Sequence, residues 1–230
     1  MSASVFNGIM VAIPAYNAVQ TLERVLREVL EYVDAREVVV VDDGSTDSTF
    51  ECASRAGVKV LRHERNRGKG AALQTAFAYV REHTSARGLI SLDADGQHLP
   101  QELPKFAAAF AEAKCKEMGA IIGCRSFHPS VMPLPRIMSN RMTSALLSWK
   151  IGQKIEDSQC GYRLYSRKLI DQVYGLQTSG YETESEILIQ GGRAGLKFYF
   201  IPIATVYAGE KSHIRGARDI ARFVSMYLQT

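Results

Sequence analysis

The sequence predicts an α/β fold in which helices cover both faces of a mostly parallel central sheet. Short apolar runs alternate with amphipathic stretches in the first half of the chain, which is the pattern of strands joined by crossover helices. The runs are too continuously apolar for a sheet with one face in water. Several of them also end in acidic or tight-turn residues, as expected where an open sheet binds a ligand.

The first half of the chain is predicted to alternate between strand and helix. The predicted strands are residues 8–14, 37–45, 58–63, 88–96 and 119–123. Apolar residues at helical spacing predict helices over residues 19–33, 69–82 and 100–114. A further helix is expected after the second strand, with Ser45, Thr46 or Asp47 as its N-cap. This order favours parallel pairing of the strands.

The second half of the chain is less regular. Residues 127–135 are rich in proline and are expected to form a connection. Beyond it, helices are predicted over residues 136–149, 182–194 and 216–228, and strands over residues 162–165 and 196–207. Because no linker separates the halves, we expect a single domain over residues 1–230.

The composition excludes some classes of protein. With 46% hydrophobic and 23% charged residues, the chain has the composition of a soluble globular domain. Its formal net charge of +4 is too small to indicate a nucleic-acid binder, but it fits anionic ligands or a membrane surface. No apolar run approaches ~20 residues, so no membrane span is predicted. Metal-site spacing is absent among the cysteines, so free thiols in a reducing cytosol are expected at Cys52, Cys115, Cys124 and Cys160.

Two aspartates at the end of the fourth predicted strand indicate a metal site. Side chains two residues apart in an extended strand point the same way, so Asp93 and Asp95 are expected on one side. Their mutual repulsion is costly without a cation. Mg²⁺ or Mn²⁺ fits, because both take oxygen ligands and leave positions for phosphate oxygens. An Asp-x-Asp pair is also common in turns, so its place in the predicted sheet is what favours the metal.

Two further segments at the same predicted edge suit a nucleotide. Asp42 follows four valines, so its carboxylate is expected to accept a hydrogen bond from a base or ribose, with a helix N-cap as the alternative. Residues 66–70 (NRGKG) open a helix with two glycines and two cations, which suits a diphosphate at a helix N-terminus. Lys69 is therefore a candidate donor ligand. The spacing fits neither a Walker loop nor G-x-G-x-x-G.

Taken together, these motifs resemble family 2 inverting glycosyltransferases of the GT-A fold. In the first half the resemblance rests on VAIPAYNA (11–18), VVVVDDGSTDST (38–49), NRGKGAALQTAF (66–77) and LDADGQH (92–98). The second half is similar to polyprenyl-phosphate sugar transferases, such as dolichyl-phosphate mannose and glucose synthases. The motifs that carry this similarity are GCRS (123–126), PRIMSNRMTSALLS (135–148), IEDSQCGYRLYSR (155–167), YETESEILI (181–189) and IPIATVYAGEKSHIRG (201–216). The resemblance implies a nucleotide-binding half over residues 8–124 and an acceptor-binding half over residues 125–230.

The resemblance also implies roles for particular residues. The donor nucleotide would be bound by Pro14, Tyr16, Asn17, Asp42, Asp93, Ala94 and Asp95. The metal and the diphosphate would be surrounded by Asp93, Asp95, Gln97 and His213, with Lys211 on the diphosphate. The acceptor side would comprise Arg125, Arg136 and Ser139 at the lipid phosphate and Glu184 in the same cleft. The catalytic carboxylates would be Asp93, Asp95 and Asp157, the last near the donor sugar.

Ordinary structural roles remain open for several of these residues. Arg125 and Arg136 are alternatively surface charges, and Asp157 alternatively bridges to Arg163 across a turn. In the same way, Glu184 is alternatively one charge on a solvated helix face, and His213 a histidine that binds nothing.

The reaction implied is transfer of a hexose from a UDP- or GDP-sugar, with a divalent metal neutralising the diphosphate. A polyprenyl or dolichyl phosphate acceptor needs no general base, because its second pKa lies near ~6. A sugar hydroxyl would need a base, and Asp157 is then the first candidate. The QxxRW signature of polysaccharide synthases is absent from the sequence.

Other classes of function remain as alternatives. A sugar-phosphate nucleotidyltransferase could use the same fold, but it usually has a glycine-rich, basic loop where this chain has PAYNA (14–18). A non-catalytic protein that binds sugar nucleotides also stays open. A phosphoacceptor domain would explain Asp42 and Asp43 but not the second half.

The expected location is the cytoplasm. Many polyprenyl-phosphate transferases carry transmembrane helices after the catalytic domain, and this sequence ends without any. We therefore expect either peripheral contact with the membrane or an acceptor that is not a membrane lipid. The last predicted helix carries apolar residues that either lie on a membrane or pack on the core or a partner, namely Ile220, Phe223, Val224, Tyr227 and Leu228. The donor base, the sugar and the oligomeric state stay open.

Overall fold

The structure is a computed structural model that describes residues 6–113, 116–128, 132–173, 175–204 and 216–230. Seven strands and eight α-helices follow one another in these ranges. In chain order they are β1 (Ile9–Ala15), α1 (Val19–Val29), β2 (Val38–Asp42), α2 (Thr49–Arg55), β3 (Lys59–Arg62), α3 (Lys69–His83), β4 (Gly88–Ser91), α4 (Leu103–Glu112), β5 (Met118–Cys124), α5 (Leu134–Ile151), β6 (Arg163–Ser166), α6 (Arg167–Gln172), α7 (Thr183–Arg193), β7 (Lys197–Pro202) and α8 (Gly216–Gln229).

The strands form one sheet in the order β3-β2-β1-β4-β6-β5-β7. The pairs β1–β2, β1–β4, β2–β3 and β5–β7 are parallel, and only β6 runs against its two neighbours. The predicted α/β fold with a mostly parallel sheet is therefore confirmed. The insertion of β6 between β4 and β5 was not predicted, because the direction of a short strand is set by its long-range partners rather than by its own sequence.

The core lies where the apolar runs of the strands meet the helices. Every residue of β2 is buried, and the four valines of this strand carry the continuous apolar pattern that a strand covered on both faces requires. On α1 the buried residues are spaced by three and four, which gives the helix one apolar face. Burial of each such valine or leucine side chain contributes roughly 1.5–3 kcal/mol.

Several element boundaries differ from the prediction. Strand β4 ends at Ser91, well before the end of the predicted strand 88–96, because the chain turns at Ala94 and Asp95. Helix α2 begins at Thr49 after its N-cap Ser48, so none of the predicted residues Ser45, Thr46 and Asp47 is the N-cap. Asp47 nevertheless accepts hydrogen bonds from the backbone nitrogen and the hydroxyl of Thr49.

Helix α5 is longer than predicted at both ends. It begins at Leu134 and includes Pro135, because a proline in the first helical turn has no intrahelical hydrogen bond to lose. It ends at Ile151, and the following Gly152, with a positive φ of 71°, forms the left-handed cap that glycine adopts without strain. Helix α6 was not predicted, since its six residues are too few to show helical periodicity.

None of the helices in the described ranges is long and apolar enough to cross a membrane. Cys52, Cys124 and Cys160 are free thiols, and Cys115 lies outside the described residues. In α8, Phe223, Met226 and Tyr227 pack against the core. Ile220, Val224 and Leu228 of the same helix remain exposed.

Candidate functional site

The candidate site lies at the edge of the sheet where the parallel strands end. The carboxyl ends of β1, β2 and β4 meet there, because these strands are parallel neighbours. Strand β5 ends at the same edge, since both β4 and β5 run against β6. The segment that leads into β6 therefore also arrives here. This geometry gathers residues from both halves of the sequence, as the prediction of a ligand site at strand ends requires.

Lys69 stands at the centre of this edge. It is the first residue of α3, and its Nζ lies 2.7 Å from Asp93 Oδ1 and 3.2 Å from Glu184 Oε1. Burial lowers the pKa of Lys69, but the charges of Asp93 and Glu184 outweigh burial and raise the pKa above its ordinary value. Lys69 is therefore a permanent cation between two carboxylates.

Glu184 is buried within the first turn of α7, so it is not a charge on a solvated helix face. Its Oε2 lies 3.7 Å from Nη2 of Arg163, which is itself fully buried. Arg163 donates further hydrogen bonds to backbone carbonyls, including those of Ser158 and Cys160. Negative and positive groups thus alternate through the interior, in the order Asp93, Lys69, Glu184 and Arg163.

The two aspartates of the Asp-x-Asp pair do not lie on an extended strand, so the predicted strand over residues 88–96 is wrong here, and the common side of the two carboxylates stays a prediction. The chain leaves the sheet before Asp93, and Ala94 and Asp95 form a turn that continues through Gly96 at a φ of +77°. The cation that neutralises Asp93 in this structure is the ammonium of Lys69. Asp95 Oδ1 accepts a hydrogen bond from the backbone nitrogen of Gln97 at 2.9 Å.

The donor atoms at this turn fit a hard divalent cation. Asp93, Asp95 and Gln97 offer carboxylate and amide oxygens, which Mg²⁺ and Mn²⁺ prefer. Across the described residues, no group of three or more histidine, cysteine, aspartate or glutamate side chains could hold a metal.

His98 was not singled out by sequence reasoning, and it fixes the turn. The backbone nitrogen of Asp93 donates to His98 Nδ1 at 3.1 Å, and the imidazole packs on the ring of Tyr162. Burial lowers the pKa of His98 to about 4. The ring is therefore neutral near pH 7, with Nδ1 as an acceptor. Its place at the end of the LDADGQH motif was the only available signal.

The pKa of Asp93 reflects all of these neighbours. Burial raises this pKa, but the charge of Lys69 outweighs burial, together with the charges of Arg125 and of His98, which is protonated in the acid range where Asp93 titrates, and the pKa falls to about 2. Asp93 is thus an anion at neutral pH, and it lies within the electrostatic reach of Arg125 from the second half of the chain.

Asp42 lies fully buried at the end of β2. Its Oδ1 accepts a hydrogen bond from the backbone nitrogen of Ser45 at 3.0 Å, and its Oδ2 lies 3.1 Å from Arg62 Nε. Because α2 begins seven positions later at Thr49, Asp42 does not cap that helix. Two roles therefore remain for the carboxylate of Asp42, which are a contact within this turn and the predicted hydrogen bond to a ligand.

Three of the predicted donor residues, Pro14, Tyr16 and Asn17, lie at the end of β1, beside Asp42. Pro14 is half-buried, whereas 46% of the Tyr16 surface is exposed. Asn17 has a φ of +48° and accepts a hydrogen bond from the backbone nitrogen of Thr46. Because Ala15 pairs with Asp42 in the sheet, Tyr16 and Asn17 emerge next to the end of β2.

Asp43 is a second residue that sequence reasoning did not place in the site. Its carboxylate accepts hydrogen bonds from the backbone nitrogens of Arg67 and Gly68, at 2.9 and 2.7 Å. It also lies 2.6 Å from His63 Nδ1. These contacts anchor the segment that precedes Lys69.

The glycines of the NRGKG segment allow two chain segments to approach closely. Gly68 has a φ of +99°, and a Cβ atom there would collide with the carbonyl of Ser179. A Cβ atom on Gly70 would collide with the side chain of Thr183. This close approach brings Lys69 of α3 within reach of Glu184 on α7.

A second cluster surrounds Asp157. Its buried carboxylate accepts hydrogen bonds from Arg125 Nε at 2.8 Å, from Arg125 Nη2 at 2.9 Å and from Asn140 Nδ2 at 2.6 Å. The backbone nitrogens of Arg125 and Gln159 donate to it as well. Asp157 thus pairs with Arg125, and Arg163 makes its ion pair with Glu184 instead.

These hydrogen bonds also determine the protonation of Asp157. Burial raises its pKa, but the hydrogen bonds and charge of Arg125 outweigh burial and hold the pKa below its ordinary value. A carboxylate that is fully buried, bonded on both oxygens and weakly basic is a poor general base.

The remaining predicted acceptor residues lie on α5. Arg136 and Ser139 are half-buried there, and Ser139 Oγ accepts a hydrogen bond from Gln159 Nε2 at 3.3 Å. Gln159 links Ser139 to the Asp157 cluster. The predicted ligands Lys211 and His213 lie outside the described residues.

Residues 10–174 of the chain match the family model described as Glycosyl transferase family 2. Among curated proteins, an uncharacterized protein of Methanocaldococcus jannaschii is 33% identical over 223 residues, which is 95% of this chain and 89% of that protein. The UDP-N-acetylglucosamine--dolichyl-phosphate N-acetylglucosaminyltransferase of Methanococcus voltae is 29% identical over 240 residues, covering 95% of this chain and 93% of that enzyme.

An undecaprenyl-phosphate mannosyltransferase from Micrococcus luteus is 28% identical over 211 residues, covering 86% of this chain and 83% of that enzyme. Among solved structures, glucosyl-3-phosphoglycerate synthase from Mycobacterium tuberculosis in complex with Mn²⁺, UDP-glucose and glycerol 3-phosphate aligns with a TM-score of 0.71 and 20% identity. That alignment covers 98% of this chain and 81% of the solved chain, and it shows the shared fold. The comparisons confirm the resemblance to polyprenyl-phosphate sugar transferases.

Proposed function

This chain belongs to glycosyl transferase family 2, and we propose that it transfers a hexose from a UDP- or GDP-linked donor to a lipid phosphate. We propose further that the transfer needs a divalent metal and inverts the anomeric carbon. The observation that carries the proposal is the placement of Asp42, Lys69, Asp93 and Asp95 at one edge of the sheet. The same edge receives Arg125 from the second half.

We assign the binding site of the nucleotide-sugar donor to the carboxyl ends of the strands in the first half of the chain. The buried Asp42 and the exposed ring of Tyr16 are neighbours at the ends of β2 and β1, where they suit a ribose and a base. Asp93, Ala94 and Asp95 follow β4 at the same edge and suit the diphosphate end of the donor. The solved synthase, whose fold this chain shares, binds UDP-glucose with Mn²⁺.

The turn at residues 93–97 is the proposed metal site. Asp93, Asp95 and Gln97 would hold Mg²⁺ or Mn²⁺, which when bound neutralises the charge of the departing diphosphate. Lys69 keeps Asp93 ionised at neutral pH, because it supplies a fixed positive charge next to that carboxylate. The neutral His98 holds the backbone of Asp93 in place.

The Asp157 cluster favours a phosphate over a hydroxyl as the acceptor. A hydroxyl needs a base, and Asp157, the candidate from sequence, is engaged by Arg125 and Asn140. A phosphate monoester has a second pKa near ~6 and is already an anion at neutral pH. It requires cations, and Arg125 with Arg136 supplies them on the acceptor side.

The named relatives agree with this acceptor. They include enzymes whose names specify dolichyl phosphate and undecaprenyl phosphate as acceptors. A second candidate acceptor is a small soluble phosphate, because glucosyl-3-phosphoglycerate synthase has the same fold and was solved with glycerol 3-phosphate. Membership of the glycosyltransferase family leaves no support for the nucleotidyltransferase alternative.

The test is turnover of UDP- and GDP-sugars with Mn²⁺ and polyprenyl phosphate, in the wild type, Asp95→Asn and Asp34→Asn. Asp34 is a matched control, since this exposed aspartate precedes β2 and lies at the opposite edge of the sheet. Release of UDP or GDP that needs lipid and metal, is lost in Asp95→Asn and persists in Asp34→Asn would support the proposal.

Two other results would change the proposed function. Release that needs glycerol 3-phosphate or 3-phosphoglycerate in place of the lipid would select the soluble acceptor. Failure of the folded protein to bind any sugar nucleotide would contradict the donor assignment.

A further inference from the structure

Helix α5 carries an exposed apolar stripe on the side that faces away from the core. At 3.6 residues per turn, seven of its residues fall within an arc of about 120°. All seven are exposed and apolar, and no polar residue lies among them. The large ones are Leu134, Met138, Met142, Leu146 and Trp149, with Trp149 82% exposed. Pro135 and Ala145 fill the positions between them. We call these seven residues the α5 stripe.

Packing among the residues that the structure describes does not account for the α5 stripe. The buried residues of α5 are Ile137, Asn140, Ser144 and Leu147, which lie on the opposite side of the helix. Soluble proteins seldom expose a contiguous apolar strip of this length unless something binds it. Leucine and tryptophan side chains on one face are typical of helices that lie in a lipid interface.

The charges of α5 favour an anionic surface as the binding partner. The helix contains Arg136, Arg141 and Lys150 but no acidic residue over Leu134–Ile151. Arg141 is exposed and borders the α5 stripe on one side. A basic helix with an apolar face combines the two attractions that hold peripheral proteins on anionic lipid, which are apolar insertion and charge.

Helix α8 extends the apolar surface beside α5. The two helices are in contact, because the hydroxyl of Tyr227 donates to the carbonyl of Leu146 and the ammonium of Lys150 lies over the Tyr227 ring. Next to this contact, α8 exposes Ile220, Val224 and Leu228 at a spacing of four residues. Two neighbouring helices therefore present apolar residues to solvent.

We propose that the α5 stripe and the exposed face of α8 form a docking surface for an anionic membrane. The inference rests on the proposed function, because α5 also carries Arg136 and Ser139 on the acceptor side. Docking through α5 would present the phosphate of a membrane lipid to these residues without requiring the lipid tail to leave the bilayer.

The test is binding of the full-length protein to vesicles, measured by co-sedimentation without donor or acceptor. Wild type should bind vesicles of phosphatidylcholine with phosphatidylglycerol, and binding should weaken on pure phosphatidylcholine or at high salt. Met138→Ser with Trp149→Ser should weaken binding by about tenfold or more, since both side chains would lose their apolar insertion. Arg141→Glu should weaken it only on the anionic vesicles.

Matched controls separate the stripe from general changes of the surface. Tyr199→Ser removes a partly exposed aromatic side chain from β7, and Arg55→Glu reverses an exposed charge on α2. Both should bind vesicles like the wild type, and thermal unfolding should show that every variant is folded.

Two results would overturn the proposal. In the first, the wild type binds anionic vesicles no more strongly than the variant Met138→Ser with Trp149→Ser does. The other is a stable dimer in light scattering that Trp149→Ser converts to a monomer, which would assign the stripe to a second copy of the chain. The vesicle assay contains neither donor nor acceptor, so its result does not depend on transferase activity. A protein that binds the vesicles but transfers no sugar would contradict the proposed function and leave the docking surface intact.

Discussion

Lys69 Nζ lies 2.7 Å from Asp93 Oδ1, so the first residue of α3 forms an ion pair with the first acid of the Asp-x-Asp turn. The same ammonium lies 3.2 Å from Glu184 Oε1. The chain therefore carries its own counter-charge at the place where a donor diphosphate and its metal are proposed to bind. This pairing relates three segments that are far apart in the sequence.

Replacing Lys69 by Met should lower the free energy of unfolding by about 2–4 kcal/mol, because two carboxylates would lose their cation in a mostly buried setting. Urea unfolding measures this loss. Lys154→Met is the control, since Lys154 pairs with Glu156 in an exposed ion pair and should cost about 1 kcal/mol or less.

The double variant Lys69→Met with Glu184→Gln tests whether the two residues act together. It should be more stable than the sum of the single variants predicts, because the neutral amide that replaces the Glu184 carboxylate no longer needs the ammonium. Strict additivity would contradict a direct interaction between Lys69 and Glu184.

Gly161→Ala should weaken donor binding more than it weakens the fold. The added Cβ would lie 2.5 Å from Lys69 Nζ and 3.0 Å from Asp93 Oδ2, so the ion pair must shift. Gly161 does not need a left-handed backbone, and the displaced atoms belong to side chains. We expect binding of UDP- or GDP-sugar, measured calorimetrically, to fall about tenfold, with Tm lowered by a few degrees or less. Unchanged donor affinity would argue that Lys69 and Asp93 do not form the donor site.

Asp157→Asn should destabilise the protein by about 3 kcal/mol, because Arg125 would lose its buried carboxylate partner. Turnover should fall as well. The KM for the lipid phosphate should rise, because Arg125 loses the carboxylate that orients it. Asp171→Asn, which removes the acid of an exposed pair with Arg167, should change neither quantity measurably. A variant with normal KM and a selective loss of kcat would instead indicate that Asp157 acts as a base.

The contribution of Asp157 to stability should disappear in acid. Its pKa in the folded protein is held below the ordinary value of 3.8, so its stabilising effect is complete above that pH and is lost as the pH falls below it. The difference in unfolding free energy between wild type and Asp157→Asn should therefore be constant from about pH 5 to 8. It should shrink below about pH 4, and a difference that grows toward acid pH would contradict the assignment.

Much of this protein could be predicted from the local sequence. Continuous apolar runs such as Val38–Asp42 can form stable strands only when both faces are covered, so they predicted the parallel sheet. Since parallel strands end at one edge, they also placed Asp42 and Asp93 at a common site. The motif resemblance predicted the family, which the family-model match over residues 10–174 confirms.

The partners of the charged side chains were decided only by the tertiary structure. The alternative role considered for Asp157, a bridge to Arg163 across the turn, is wrong, because Arg125, directly after β5, reaches Asp157 and Arg163 pairs with Glu184. The pairing of Lys69 with Asp93, the antiparallel position of β6 and the exposure of the α5 stripe were equally beyond sequence reasoning. The physical reason is that strand and helix patterns depend on neighbours within a few residues. Ion pairs and exposed faces depend instead on which distant segments share the same space once the sheet has formed.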